Sequence, residues 1–204
     1  GFAQLKAEAR SNRRPSSADF EIIPMRVSSQ GRSDLYTYEG PMPLRIVETA
    51  PAAEGEGVRP VRMLGAFSNS VIPPRALLLL RPDPAKESGL VVSLLDDTEA
   101  AFPARHIKVV NLSDQRVEGR IGERSFVSTP TQPMLAAERV GSSVSIGAAY
   151  DRNGTPTAIF DQSIRVGESE RVLLVFLPPF RPGADVRMRV IRDQLFSHED
   201  EISE

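Results

Sequence analysis

The feature that most constrains the fold of this chain is an internal repeat, in which part of the first half recurs in the second half. Residues 75–82 (RALLLLRP) and 171–178 (RVLLVFLP) lie 96 positions apart. The same spacing continues without a gap from 90–97 (LVVSLLDD) to 186–193 (VRMRVIRD). A repeat of this length predicts two copies of one small domain rather than a short-period solenoid.

Upstream of this match the spacing of the repeat falls to 82, where 64–66 (LGA) meets 146–148 (IGA). The difference of 14 residues predicts a local insertion in the second copy. Asn153 and Gly154 lie between two apolar runs, and this pair supplies the positive φ angles of a two-residue hairpin turn. We therefore predict that the second copy carries a hairpin that the first copy lacks.

Almost every segment between the two ends has the composition of a β-strand, because short apolar runs alternate with clusters of Gly, Pro, Asn, Asp and Ser. Strands are predicted near 20–27, 33–39, 43–48, 60–67, 75–81, 89–95, 105–112, 115–121, 124–129, 142–150, 155–161, 170–177 and 185–192. Short strands at this spacing are typical of a β-sandwich. The predicted fold class is all-β, with two tandem immunoglobulin-like β-sandwiches; one larger β-sandwich is the alternative.

The ends of the chain differ in composition from this β-rich middle. Residues 1–19 are rich in arginine and serine and predict a flexible N-terminal tail. Residues 194–204 predict an acidic C-terminal tail. Between the tails we place the first sandwich at 20–97 and the second at 104–193, joined by a linker at 98–103.

The charge and the hydropathy of the chain exclude several kinds of partner. With 25 basic and 27 acidic residues the formal net charge is −2, which does not favour nucleic acid. The arginines are scattered and mostly alternate with apolar residues, so we expect them at solvent-facing strand positions. No segment reaches the ~18 apolar residues of a transmembrane helix. The sequence starts at Gly1 without methionine and enters a polar, basic stretch, a start expected of an exported protein after removal of a signal peptide.

The side chains that perform chemistry are scarce. The chain has no cysteine and two histidines, so disulfides are excluded and zinc, copper and haem lack their usual ligands. His106 alternates with Ile107 and Val109 and is expected on the outer face of a strand. The segment 141–145 (GSSVS) does not match the G-x-S-x-G nucleophile motif. We predict no enzymatic activity, no catalytic residue and no cofactor.

Two groups of residues are candidates for binding. Asp96, Asp97 and Glu99 form an acidic cluster at a strand end and are candidate calcium ligands, although strand-end carboxylates are commonly solvated turn residues. Tyr36 and Tyr38 lie two positions apart on a predicted strand, so their rings share one face and are candidate ligand contacts. Core packing or edge protection is the alternative for the tyrosines, and we favour it.

The opening of the second half resembles a known family. Residues 104–113 (ARHIKVVNLS), followed by Val117 and Gly122, resemble the start of an exported bacterial immunoglobulin-like domain of uncharacterised function. In that family a strand ends in an Asn/His-x-Ser turn and a second strand ends in a glycine. The first half echoes this pattern at Met25–Ser28 and Leu35–Gly40. The chain lacks the Pro-Asp-Ala that usually follows the serine. The resemblance implies an envelope or secreted module without known catalysis.

These observations predict a non-catalytic exported β-sandwich module for binding, adhesion or envelope structure. Its localisation is periplasmic or secreted, and its partner is a protein or an envelope component. The alternative is a periplasmic pilus-type chaperone, which also has two immunoglobulin-like domains and donates an edge strand to its subunit. A carbohydrate-binding module ranks third, because the chain has no tryptophan.

Overall fold

The chain divides into two compact units, Gly1–Asp97 and Thr98–Glu204. The computed structural model describes residues 2–5, 20–27, 32–33, 35–39, 42–51, 58–68, 72–82, 90–130, 138–181 and 183–195. Every regular element within these residues is a β-strand, which confirms the all-β class. No helix in these ranges is long and apolar enough to cross a membrane.

The described residues of the first unit form six strands in two sheets. They are β1 (Phe2–Leu5), β2 (Phe20–Ile23), β3 (Leu44–Pro51), β4 (Val58–Phe67), β5 (Ala76–Pro82) and β6 (Leu90–Asp96). One sheet has the order β2-β1-β3-β4, and β5 and β6 form an antiparallel pair. Leu44, Ile46 and Val92 are buried at the centre of the apolar cluster, because the inward positions of β3 and β6 face each other.

The part of the second unit that the structure describes forms eight strands. They are β7 (His106–Asn111), β8 (Val117–Ile121), β9 (Arg124–Ser128), β10 (Glu138–Arg139), β11 (Ser143–Arg152), β12 (Thr155–Arg165), β13 (Glu170–Leu177) and β14 (Arg187–Gln194). They form two four-stranded sheets, β10-β7-β13-β14 and β12-β11-β8-β9. Val109 and Leu174 from the first sheet share one core with Val117 and Ile146 from the second, an arrangement consistent with a β-sandwich.

The two hairpins of the sequence repeat have the same register. In β5–β6, Ala76 pairs with Asp96 and Leu80 with Val92. In β13–β14, Val172 pairs with Arg192 and Phe176 with Met188, so each pair is shifted by 96 positions. The register of a strand pair decides which side chains face the core, so the matched sequences also match in side-chain placement.

The predicted turn at Asn153-Gly154 is confirmed. Their φ angles are 55° and 82°, and the Gly154 N–H donates a hydrogen bond to Asp151 Oδ1 at 2.6 Å. Residues 64–66 and 146–148, which the repeat aligns, lie in β4 and β11. Between β11 and β13 the second unit has the strand β12, whereas the described residues between β4 and β5 form no strand.

Four segments differ from the sequence-based predictions. Phe2–Leu5 forms β1 and pairs with β2 and β3, although it lies in the predicted tail 1–19; residues 6–19 lie outside the described ranges. Residues 35–39 do not form the predicted strand. The segment 98–103 belongs to the second unit, and Phe102 within it is 1% exposed. Gln194 ends β14, whereas 196–204 of the predicted acidic tail lie outside the description.

Candidate functional site

The first candidate feature of the second unit is a buried charge at the start of β13. The Arg171 side chain is fully buried, and its Nε and Nη2 lie 2.8 Å and 2.7 Å from Asp193 Oδ2. Its Nη1 donates to the Phe102 carbonyl at 2.9 Å, and its guanidinium lies 4.9 Å from the centre of that ring. A buried charge requires such pairing to offset the loss of water. The expectation that the arginines face solvent is therefore wrong for Arg171.

The predicted calcium ligands are arranged differently from a metal site. Asp97 is 4% exposed, and its two carboxylate oxygens accept hydrogen bonds from Arg32 Nη1 and Nη2 at 2.7 Å and 2.9 Å. Arg75 Nε adds a third contact at 3.2 Å. Asp96 and Glu99 are exposed. Among the described residues no group of three acidic or histidine side chains could hold a metal ion. Asp97 neutralises arginines instead.

The turn that carries the family resemblance forms a buried polar network. Asn111 Nδ2 donates to the carbonyls of Gln115 at 2.8 Å and Ser128 at 3.3 Å. Ser113 donates to Asn111 Oδ1 from its backbone N–H at 3.0 Å and from its hydroxyl at 2.6 Å. These bonds tie the end of β7 to β9 and explain, in physical terms, why an Asn-x-Ser sequence suits this turn.

The two tyrosines pack inward. Tyr36 and Tyr38 are half-buried and contact the cluster around Leu44 and Ile46. The Tyr36 hydroxyl accepts a hydrogen bond from the Arg26 N–H at 2.9 Å. Burial raises the pKa of Tyr38, and nearby Arg45 partly offsets that effect. The rings therefore serve the core of the first unit and do not form an exposed platform for a sugar.

His106 is tied to the backbone of its own strand. Its Nδ1 lies 2.7 Å from the carbonyl oxygen of Ala104, a contact that places the hydrogen on that nitrogen. The side chain is half-buried rather than on an open face. This contact orients the imidazole as part of the strand β7.

A cavity that the sequence did not reveal lies beside β9. It has a volume of about 250 Å³ and is lined by Val109, Ile121, Arg124, Ser125, Phe126, Val127 and Glu138. Val109 and Ile121 are buried and give it an apolar floor, whereas Arg124 and Glu138 form an ion pair at the surface. No motif marks these residues, because they come from four strands that only the fold brings together. The cavity can hold one apolar side chain, since pockets for drug-sized ligands measure roughly 300–1,000 Å³.

Comparison of this chain with protein-family models, with curated proteins and with solved structures gives no match.

Proposed function

We propose that this chain is a non-catalytic, exported binding module built from two immunoglobulin-like β-sandwiches. Its partner is a protein or an envelope component, and its role lies in adhesion or envelope structure. The observation that carries the proposal is the cavity beside β9, which combines an apolar floor with the Arg124–Glu138 ion pair. Protein interfaces have the same organisation, in which an apolar side chain fills a pocket within a polar rim.

The hydrogen bonds among the buried polar side chains favour a structural role for these residues over a catalytic one. Arg171 is bonded to Asp193, Asp97 to Arg32, and Asn111 to Ser113. A catalytic acid or base must be able to reach a substrate. Groups that are buried in mutual contacts hold strand ends together instead.

The matched hairpins support a duplicated origin of the two units. Each residue pair of the β5–β6 hairpin has its counterpart 96 positions later in the β13–β14 hairpin, so the two hairpins have the same register. Each hairpin also closes with an arginine bonded to an aspartate through Nε, Arg75 to Asp97 and Arg171 to Asp193. A shared register together with a shared ion pair favours two copies of one domain over chance similarity.

Two of the outer strands, β4 and β12, are unsuited to the edge-strand donation of a pilus-type chaperone. A donated edge strand needs a continuous row of unpaired backbone N–H groups. At the ends of two sheets, β4 contains Pro60 and β12 contains Pro156, and proline has no N–H to donate. Both strands also contain register shifts that bend the edge.

Photo-crosslinking in the native organism tests the proposed function. A photoreactive amino acid replaces Ser125 in the lining of the cavity, and a matched control carries it at Gln162, which is exposed on β12. We expect the Ser125 variant, and not the Gln162 variant, to form a defined crosslinked species in the periplasmic, envelope or secreted fraction. Equal crosslinking at both positions would contradict the cavity as the contact site, and recovery of the chain in the cytosol would contradict export.

A further inference from the structure

The strand β5 of the first unit and its counterpart β13 in the second unit have different surroundings. β13 lies between β7 and β14, and residues 171–176 are buried. Among the described residues, β5 is hydrogen-bonded in a sheet to β6 alone. Residues 76–80 (ALLLL) are only half-buried. An apolar strand that is central in one unit thus lies, within the part of the chain that the structure describes, at the edge of a sheet in the other.

The backbone hydrogen bonds of β13 and β5 show which N–H and C=O groups of β5 point toward this edge. In β13 the carbonyls of Glu170 and Phe176 accept hydrogen bonds from Arg105 and Leu112, which flank β7, at 2.7 Å and 2.8 Å. Even-numbered residues of β13 therefore point toward β7. In the first unit the Asp97 N–H donates to the Arg75 carbonyl at 3.0 Å, so odd-numbered residues of β5 face β6.

It follows that Ala76, Leu78 and Leu80 direct their N–H and C=O groups away from β6. In the second unit the equivalent groups pair with β7.

The β5 edge also lacks the protection that other outer strands have. Natural sheets protect edges with prolines, bulges and charged side chains. Pro60 and Pro156 interrupt β4 and β12, and β14 carries Arg187 and Arg189. Residues 76–80 contain no proline and no charge, and Arg81 and Pro82 follow at the end of the strand. The sequence of the stretch 76–80 therefore permits pairing with another strand.

We propose that the outer edge of β5 accepts an extended strand from a partner polypeptide. The strand runs parallel to β5 in the register that β7 has along β13, where Ile107 pairs with Val172 and Val109 with Leu174. This inference rests on the proposed function as a binding module and names how a partner is bound. The mode of recognition is β-augmentation, in which backbone hydrogen bonds supply the affinity and alternate side chains supply the specificity.

The strand β7 indicates the chemistry of the partner. Its Ile107 and Val109 enter the core of the second unit, and Lys108 lies between them. The partner strand should therefore place two β-branched apolar side chains at alternate positions, beside the half-buried Ala76 and Leu78. A second copy of the chain does not offer its own β7, because that strand is already paired with β10 and β13.

Amide hydrogen exchange of the full chain tests the open edge. In the free protein we expect Leu78 and Leu80 to exchange at least about tenfold faster than Leu77 and Leu79, whose amides face β6. If all four amides are equally protected, another segment of the chain already covers the edge and the proposal is wrong.

A synthetic peptide of residues 105–113 (RHIKVVNLS) serves as the probe of strand binding. It should slow exchange at Leu78 and Leu80 by at least about tenfold at saturation, a factor equivalent to 1.4 kcal/mol. The control peptide carries Ile107→Asp and Val109→Asp and should give no protection. No effect of the first peptide, or equal effects of both, would overturn the proposal. The crosslinking at Ser125 is independent of either result.

A proline variant separates edge binding from folding. Ala76→Pro removes an N–H that faces the open edge, so the melting temperature should stay within about 2 °C while the peptide loses its effect on Leu78 and Leu80. The matched change Val172→Pro removes an N–H that faces β7 and should unfold the second unit. If Ala76→Pro unfolds the first unit in the same way, the edge is paired within the chain and the proposal fails.

Discussion

At the scale of single residues, the charged side chains described for this protein hold strand ends and turns in place. Glu170 at the start of β13 is an example, because its Oε2 accepts a hydrogen bond from the Gly167 N–H at 2.9 Å. Arg192 Nη1 lies 2.9 Å from both of its carboxylate oxygens. Burial alone would raise the pKa of Glu170, but the bonds from Gly167 and Arg192 outweigh it and lower the pKa.

The substitution Glu170→Gln should therefore reduce stability in a manner that depends on pH. A carboxylate with a lowered folded-state pKa stabilises the protein above its unfolded pKa of about 4.5 and loses that effect as the pH falls through the folded value. We expect a loss of about 1 kcal/mol at pH 7 that shrinks below about pH 4.5. Urea unfolding across this range measures it. Glu168→Gln is the control, because Glu168 is 93% exposed; an equal, pH-independent loss in both variants would contradict the prediction.

The sequence predicted the outer residues better than the buried ones. Arg187 is exposed, as expected from its alternation with Met188, whereas Arg189 is half-buried like Met188 and Val190. Arg171 stands in a similar pattern but is buried, because β13 is covered on both faces and Asp193 balances its charge. Alternation in a sequence shows which residues share a face, and only the fold shows whether both faces are covered.

At the scale of elements, a glycine on β8 fixes the contact between two strands. Gly119 pairs with Phe126 of β9 across the ladder. A Cβ atom at Gly119 would lie 2.2 Å from the Gly147 carbonyl oxygen and 2.6 Å from the Phe126 ring. The ring occupies the space that a side chain on Gly119 would need, so this strand pair depends on a missing Cβ.

We predict that Gly119→Ala destabilises the second unit by about 3 kcal/mol, at the upper end of the usual cost of overpacking, because a backbone oxygen cannot move aside as a side chain can. The matched control is Gly147→Ala on the neighbouring strand β11, where the nearest atom outside adjacent residues lies at 3.6 Å. This control should change the free energy of unfolding by less than about 0.5 kcal/mol. Chemical denaturation measures both, and similar values for the two variants would refute the argument.

The strand order was only partly accessible from the sequence. The alternating pattern located most strands, and Asn153-Gly154 located a turn, because both signals are local. The strand β1 carries no such signal in its four residues, and it forms through pairing with distant residues of β2 and β3. The cavity beside β9 was equally hidden, since its lining combines residues from β7, β8, β9 and β10.

At the scale of the whole molecule, one ion pair occurs in two settings. Arg171 is fully buried and bonded to Asp193, whereas Arg75 is 44% exposed and shares Asp97 with Arg32. The repeat in the sequence predicted that these positions correspond. It did not predict that their burial differs, because the number of strands beside each hairpin is a property of the fold.

The same substitution should therefore have unequal effects in the two units. Arg171→Met leaves the Asp193 carboxylate without its main partner and should cost about 3–5 kcal/mol. Arg75→Met removes a half-exposed pair and leaves Arg32 on Asp97, so it should cost at most about 1 kcal/mol. Thermal or urea unfolding of the two full-length variants compares them. Equal losses of unfolding free energy in the two variants would contradict the prediction, because they would show that burial does not change how much the ion pair stabilises its unit.

The parallel pairing of β7 with β13 has a consequence for how the second unit folds during synthesis. Val172 pairs with Ile107, 65 positions earlier in the chain. Closing such a long loop has an entropic cost that must be met before the contact forms, and folds dominated by distant contacts fold slowly. Because β7 precedes β13 in the chain, the ribosome releases β7, with its apolar residues Ile107, Val109 and Val110, well before β13 is synthesised. During that interval the apolar strand β7 lacks the partner β13, which makes the nascent chain a substrate for holding chaperones and prone to aggregation if they are scarce.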